Sequence, residues 1–149
     1  MNDGPAVGLS LIDRLFGDEA PSLARVRAGL KRDLEDLLNT RERVKSWPAV
    51  LGELERSLFS YGIVDLATAN FSTEERRAAV VEEIGATIRR LEPRLTRMNI
   101  AALQNADPSD RSLRIRIEAQ IIIDSESEPV QFNTIIDPIA GAVALTDQS

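Results

Sequence analysis

The residues best suited to chemistry in this sequence are carboxylates and arginines. The chain has 149 residues and contains no cysteine and no histidine, which excludes thiolate nucleophiles, imidazole bases and metal sites built on these ligands. Glu92 is the leading candidate for a general acid because it precedes Pro93 at the junction of two predicted elements. A glycosidase would need a second carboxylate about 5–10 Å away. The neighbouring Arg94 opposes this function, since a guanidinium favours the ionised form of a carboxylate.

Other patterns that carry chemistry are weak or missing. Asp124, Glu126 and Glu128 alternate in a polar stretch and suggest a cation site, but the stretch lacks the glycine and ligand spacing of a calcium loop. The sequence contains no Walker-type phosphate loop, no dinucleotide-binding glycine motif and no nucleophile elbow. We therefore expect no metal, no cofactor and no enzymatic activity.

Four arginines form a basic group in the second half of a chain whose net charge is −6: Arg94, Arg97, Arg114 and Arg116. Two interpretations stay open, a solvated face of a sheet and a docking surface for an acidic partner. The first third of the chain is neutral, and each of the other two thirds carries a net negative charge. This charge distribution disfavours nucleic acid as the ligand. No apolar run approaches the roughly 20 residues that a membrane span needs.

Apolar spacing predicts a first long helix. Apolar residues recur three and four positions apart between residues 23 and 37, which is the period of one helix face. Pro21 suits the first turn of this helix, and Asn39 suits its C-terminal end. The predicted stripe consists of Leu23, Val26, Leu30, Leu34 and Leu37.

Two further helices are predicted before residue 92. One begins at Pro48 with Ser46 as its cap and ends at Tyr61–Gly62, because glycine tolerates the left-handed conformation of a helix end. The other covers residues 72–91, with Ser72 and Glu75 at the spacing of a capping box. Their predicted buried faces are Leu51, Leu54, Leu58 and Phe59 for the first, and Val80, Ile84, Ile88 and Leu91 for the second.

The pattern changes to a period of two after Pro93. Alternation of apolar and polar residues predicts strands over 95–103, 113–121 and 130–136, and a short fourth strand over 142–145. Polar turns are expected at Asp107–Asp110 and at Ser125–Pro129.

Helices followed by consecutive strands predict an α+β fold, with N-terminal helices packed on a small antiparallel C-terminal sheet. We expect one domain over residues 9–145, with helices over 9–91 and strands over 95–145. Residues 1–8 contain Gly4, Pro5 and Gly8, lack the features of a secretory signal, and are expected to be flexible.

Five segments, taken in order, resemble the TssE family of type VI secretion baseplate subunits, which is similar to a tailed-phage baseplate wedge protein long labelled lysozyme-like. No single segment is specific, but the ordered set is. The segments are Leu11–Leu15, Lys31–Arg41, Ser57–Leu66, Ile88–Leu95 and Glu128–Thr134.

The resemblance implies a structural function in the wedges of a cytoplasmic baseplate at the inner face of the cell envelope. It implies contacts with the wedge subunits TssF, TssG and TssK and a template for the first ring of the contractile sheath. The alternative is a carboxylate-based peptidoglycan hydrolase, suggested by the old label of the relatives.

The hallmark Glu-Pro-Arg triplet of that family corresponds to Glu92, Pro93 and Arg94 and is linked to wedge and sheath attachment. From the residues alone, the triplet is better explained as an ordinary helix end that carries an intramolecular ion pair, and the resemblance reverses this preference. With the resemblance, we predict partner binding by this triplet together with Arg97, Arg114 and Arg116. That prediction includes an Arg94→Ala variant that folds but does not assemble.

Overall fold

The computed structural model describes residues 22–42, 48–56, 60–63, 65–66, 71–107, 109–123, 125–137, 139–140 and 142–147. Two α-helices, a 3₁₀ helix and four strands are found there. Predictions for the segment before Ser22, and for Ser46, Leu58 and Phe59, fall outside the described residues. The elements are α1 (Leu23–Asn39), the 3₁₀ helix (Ala49–Arg56), α2 (Glu74–Leu91), β1 (Thr96–Leu103), β2 (Leu113–Ile123), β3 (Glu126–Ile136) and β4 (Val143–Asp147).

The four strands form one antiparallel sheet in the order β1-β2-β3-β4. Each strand therefore pairs with its neighbour in sequence, as short polar turns allow. The predicted α+β class, with helices first and an antiparallel sheet after them, is confirmed.

Both α-helices pack against one face of the sheet and enclose a single apolar core. On β2, residues at alternate positions from Leu113 to Ile121 are buried, as the period-two pattern predicts. The stripe of α1 supplies Val26, Leu30, Leu34 and Leu37 to the same core. The opposite face of the sheet, which we call the outer face, carries the half-buried Arg114 and Arg116.

The start of α2 differs from the prediction by one residue, whereas the end of α1 matches it. Ser22 caps α1 by accepting from the N–H of Arg25 at 3.3 Å, and Asn39 ends the helix as predicted. The predicted capping box at Ser72 and Glu75 is wrong, because Thr73 is the N-cap of α2 and accepts from the N–H of Arg76. Either hydroxyl can cap a helix. On the same helix Val81 is buried, whereas the predicted Val80 is only partly buried against the core.

The segment after Pro48 departs further from prediction. In the described part, the predicted second helix is a 3₁₀ helix over Ala49–Arg56 with a non-helical backbone at Leu51, and the predicted buried residue Leu51 is 46% exposed. The predicted turn over residues 125–129 is also wrong, because β3 begins at Glu126 and only Ser125 adopts a left-handed backbone, at φ 70°. Direct pairing of Ile123 with Glu126 makes this hairpin tight.

A bulge interrupts β1 at its start. Thr96 pairs with Gln120 and Asn99 with Glu118, so β1 uses one residue more than β2 over this stretch. Arg97 lies inside the bulge with φ 49°, which is unfavourable for a residue that has a Cβ. Such a strained backbone persists only where the surrounding structure fixes it.

Gly62 allows two distant segments to meet. Its φ is 123°, and a Cβ there would lie 2.7 Å from both the carbonyl oxygen of Thr40 and the nitrogen of Glu42. The close approach permits hydrogen bonds from Ile63 N–H to Thr40 O and from Glu42 N–H to Ile63 O, each 2.9 Å. Glycine is thus required where the segment around residue 62 joins the end of α1.

We predict that Gly62→Ala lowers the free energy of unfolding by about 3 kcal/mol, because backbone strain and a steric clash add. Urea denaturation measures the change. The control is Gly52→Ala, where a Cβ meets nothing within 4 Å and the expected change is within about 1 kcal/mol. Equal stabilities of the two variants would contradict the prediction.

Candidate functional site

An arginine joins the end of α2 to the middle of α1. The Nε of Arg94 donates to Oε1 of Glu92 and its Nη2 donates to Oε2 of Glu92, both at 2.6 Å. The same Nη2 donates to Oδ2 of Asp33 at 2.5 Å. Two parallel bonds to one carboxylate are the geometry that selects arginine over lysine. We call Asp33, Tyr61, Glu92 and Arg94 the arginine corner.

Local backbone geometry holds the triplet in this position. Glu92 is the C-cap of α2, and its N–H donates to Ile88 O at 2.8 Å while its carbonyl accepts from Leu95 N–H at 3.2 Å. Pro93 is exposed and prevents the helix from continuing. The chain therefore reverses within two residues, which brings the Arg94 side chain back onto the Glu92 carboxylate.

The ion pair lies mostly away from water. The side chains of Glu92, Arg94 and Asp33 are 10%, 17% and 27% exposed. The hydrogen bond with Glu92 is the largest cause of the raised pKa of Arg94, opposed by burial and aided by Asp33. Arg94 thus stays charged at every accessible pH, and it neutralises acids that would be costly to bury alone.

Tyr61 borders the same corner. Burial raises the pKa of its hydroxyl, and the negative charges of Asp36, Asp33 and Glu92 raise it further. Next to it, Arg90 Nη2 donates to the carbonyl of Ser60 at 3.4 Å. The segment around residue 61 is therefore tied to the end of α2 as well as to the end of α1.

Three of the segments that carry the resemblance meet at this corner. Segment 31–41 supplies Asp33 and the bridge of Arg41 to Ile63, segment 57–66 supplies Tyr61 and Gly62, and segment 88–95 supplies Glu92 and Arg94. They are far apart in sequence and are joined by direct hydrogen bonds.

Arg97, Arg114 and Arg116 lie elsewhere in the fold. Arg114 Nη2 is 3.5 Å from Oδ2 of Asp110, and Arg116 Nε donates to Oδ1 of Asn133 at 3.4 Å. In the register of the sheet, Arg116 lies between Ala101 of β1 and Asn133 of β3 on the outer face. Arg97 is exposed in the bulge of β1 and makes no ion pair within the described residues. The predicted site is thus two sites, an internal one around Arg94 and an outer one.

The corner is poorly suited to acid catalysis or metal binding. Both oxygens of Glu92 accept from Arg94, whereas a general acid must carry a proton on one of them. Among the described residues, no three acidic side chains are placed to hold a metal ion. In the same part of the chain, neither α-helix combines the length and the apolar character needed to cross a membrane.

Asp33 and Tyr61 were not predicted as site residues. Both lie inside segments that carry the resemblance, and this membership was the one indication in the sequence that they could belong to a site. Their spacing in the sequence does not indicate that they face residue 94. Only the packing of α1 against the end of α2 brings them together.

The family model of the baseplate wedge protein gp25 matches residues 24–126. The chain belongs to the baseplate wedge protein gp25 family. The match includes the whole arginine corner, β1 and β2, and it supports a structural role in a baseplate. No curated protein and no solved structure matched the chain.

The ion pair changes what Arg94→Ala should do. We predict a loss of about 2–3 kcal/mol in the free energy of unfolding, because Glu92 is left partly buried without its partner. Arg94→Lys should lose less, since lysine keeps the charge without the paired geometry. Urea denaturation and a double-mutant cycle with Asp33→Asn measure the coupling. A stability equal to that of the wild type would contradict an internal function for Arg94.

The raised pKa of Tyr61 can be measured directly, because it is the only tyrosine. We predict that tyrosinate absorbance develops above the ordinary pKa of about 10. Asp36→Asn should move the pKa down, because it removes one of the negative charges and leaves the Arg94 ion pair in place.

The associated pH dependence has a defined sign. Because the folded pKa is raised, the stability linked to neutral Tyr61 is complete below the pKa of the unfolded chain and is lost as the pH rises through the folded value. Tyr61→Phe should abolish this part of the alkaline decline. An unchanged profile in Tyr61→Phe would contradict the assignment.

Proposed function

We propose that this protein is a structural subunit of a type VI secretion baseplate wedge that docks other wedge subunits and serves as a template for the contractile sheath. The proposed partners are TssF, TssG, TssK and the sheath subunits. The proposed location is the cytoplasmic baseplate at the inner face of the envelope. Membership of the baseplate wedge family supports the general assignment, and the ordered resemblance to TssE supports the specific machine.

The observation that carries the proposal is the convergence of the three segments on one ion-paired corner. A corner fixed by Arg94 and Gly62 holds α1, α2 and the start of β1 in one relative orientation. Rigid presentation lowers the entropic cost of docking, because the surface is ordered before the partner arrives. In this proposal Glu92 and Arg94 position the exposed Pro93 and contribute their accessible edges to the partner.

The outer face of the sheet provides a second contact surface. It exposes Ile135, half of whose surface is accessible, beside Arg114 and Arg116. Arginines next to exposed apolar side chains are typical of protein interfaces. The two α-helices pack on the other face, so they leave this surface to a partner.

The hydrolase alternative makes a separate prediction. If Glu92 were a catalytic acid, the protein would turn over peptidoglycan and Glu92→Gln would abolish the activity. We expect no turnover by the wild-type protein, because the carboxylate is held by Arg94. Turnover that is lost in Glu92→Gln would overturn the proposed function.

We predict that Arg97→Ala and Arg116→Ala each weaken capture of wedge subunits about tenfold, which is the usual effect of removing an arginine contact from an interface. Quantitative co-purification from cells that express the whole baseplate measures the effect. Arg76→Ala is the matched control, since Arg76 is an exposed arginine on α2 and its loss gives the same change in charge. Wild-type capture by both variants, Arg97→Ala and Arg116→Ala, would remove these arginines from the interface.

A further inference from the structure

The charge on the outer face of the sheet changes sign along β2. Arg114, Arg116 and Glu118 lie on this face at alternate positions, because alternate residues of a strand share a face. The two arginines lie toward the end of the sheet where β2 begins, and the acid follows them. One half of the outer face is therefore basic in a chain whose net charge is −6.

Apolar side chains flank the arginines on the neighbouring strands. In the register of the sheet, Leu103 of β1 and Ile135 of β3 lie opposite Arg114. Ala144 of β4 lies opposite Ile135 in turn. Ile135 is 50% exposed, and Ile139, in the turn that follows β3, is 92% exposed. The surface formed by these neighbours, which we call the arginine surface, consists of Leu103, Arg114, Arg116, Ile135 and Ala144.

The two arginines have hydrogen-bonding capacity that the fold leaves unused. The Nε of Arg114 is buried and bonds to no acceptor in the part of the chain that the structure describes, and its Nη2 lies 3.5 Å from Oδ2 of Asp110. Arg116 donates to the neutral amide of Asn133 at 3.4 Å and has no acidic partner among the same residues. A carboxylate would give either guanidinium a shorter and stronger bond.

The strand at one side of this surface is fixed from below. The N–H of Val143 donates to Oδ1 of Asn39, and Nδ2 of Asn39 donates to the carbonyl of Val143, each at 2.8 Å. The N–H of Leu145 donates to Oε1 of Glu35 at 2.9 Å. Because α1 holds both neighbours of Ala144, this part of the surface is ordered before a partner arrives, which lowers the entropic cost of binding.

A helix fits the face of the sheet better than an extended segment does. The N–H and C=O groups of β2 and β3 are paired along the ladder, so a segment that lies on this face finds no backbone groups to bond. An extended segment would leave its own backbone groups unpaired in the contact, whereas a helix satisfies them internally. Helices are also the usual layer that covers the face of a sheet.

The spacing of the arginines selects the positions of the acids on such a helix. Arg114 and Arg116 are two residues apart on one strand, a separation of about 7 Å. Side chains at positions i and i+4 of a helix lie about 6 Å apart along its axis. On a helix that runs along β2, acids at these two positions can therefore each meet one arginine.

We propose that the arginine surface binds an amphipathic helix of a partner subunit. The helix carries acidic residues at positions i and i+4 opposite Arg114 and Arg116, and apolar residues over Ile135 and Ala144. Glu118 limits the site, because it repels a further acid in the next turn. This inference rests on the proposed function, since the helix belongs to a wedge or sheath subunit.

A single cysteine locates the bound segment, because the native chain has none. Ala144→Cys places a thiol at an exposed alanine of the arginine surface, and a photo-crosslinker is attached to it in the full-length protein within the assembled baseplate. We expect crosslinks to one segment of a wedge or sheath subunit, at positions three or four residues apart, with acids at i and i+4. Crosslinked positions two residues apart, or crosslinks to a second copy or to residues 1–21 of the same chain, overturn the proposal.

Charge reversal tests the arginines with the same crosslinker. Arg116→Glu should lower the yield from Ala144→Cys by about tenfold or more, whereas Arg116→Lys, which keeps the charge, should lower it by about threefold at most. The matched control is Arg76→Glu, at an exposed arginine of α2, which should leave the yield within about twofold. If urea denaturation shows that Arg116→Glu is unfolded, Arg116→Gln replaces it with the same expected direction. An unchanged yield in the folded variant overturns the proposal.

An exchange of charges between the partners completes the test. In the partner helix, the acid that crosslinking places beside residue 116 is replaced by arginine, and this change should restore the yield of Arg116→Glu to within about threefold of the wild type. No restoration overturns the pairing of this arginine with an acidic helix. Co-purification of the wild-type protein separates the two levels. If wedge and sheath subunits do not co-purify with it, the proposed function fails; if they do and the yield is insensitive to Arg116→Glu, only the helix site fails.

Discussion

The Arg94 guanidinium is the interaction on which the arrangement of the helices depends. It holds both oxygens of Glu92 at the end of α2 and reaches Asp33 in the middle of α1. Two acids with little access to water are tolerated there because a charge of opposite sign satisfies them. The packing of the two helices on the sheet and the position of the turn into β1 are thereby linked by one side chain.

The same corner depends on glycine as much as on charge. Gly62 lets the segment around residue 62 run beside Thr40 and Arg41 at backbone contact distance. Tyr61 lies near enough to Asp33 and Glu92 for their negative charges to raise the pKa of its hydroxyl, which burial raises most. The hydrogen bonds of Ile63 are made at the end of α1, and the ion pair with Arg94 is made from the middle of the same helix.

The two faces of the sheet differ from each other, and so do its two edges. Its inner face is covered by the helices and its outer face carries arginines and exposed apolar side chains. Among the described residues, the outward groups of β4 bond to Glu35 and Asn39 of α1, and β1 pairs with β2.

Local patterns in the sequence determined much of the fold. The leucine stripe placed α1 and its end at Asn39, and strict alternation placed β2, because burial on one face demands a regular period. The residues around Ser72 and Thr73 were less informative, since two adjacent hydroxyls can each cap a helix. The 3₁₀ segment was mispredicted because apolar spacing does not show whether the side chains on one face, such as Leu51, become buried in a core.

The sequence by itself determined the α+β class, the absence of thiol and imidazole chemistry, and the Glu-Pro-Arg segment that carries the resemblance. Only the tertiary structure decided that Arg94 turns inward to Asp33, that Arg97 lies in a bulge, and that Glu35 and Asn39 cover β4. The physical reason is that no periodic pattern in the sequence indicates which of these residues come together in the fold. Charge and hydrogen-bonding capacity can be read from one residue, but the partner is chosen by how the elements pack.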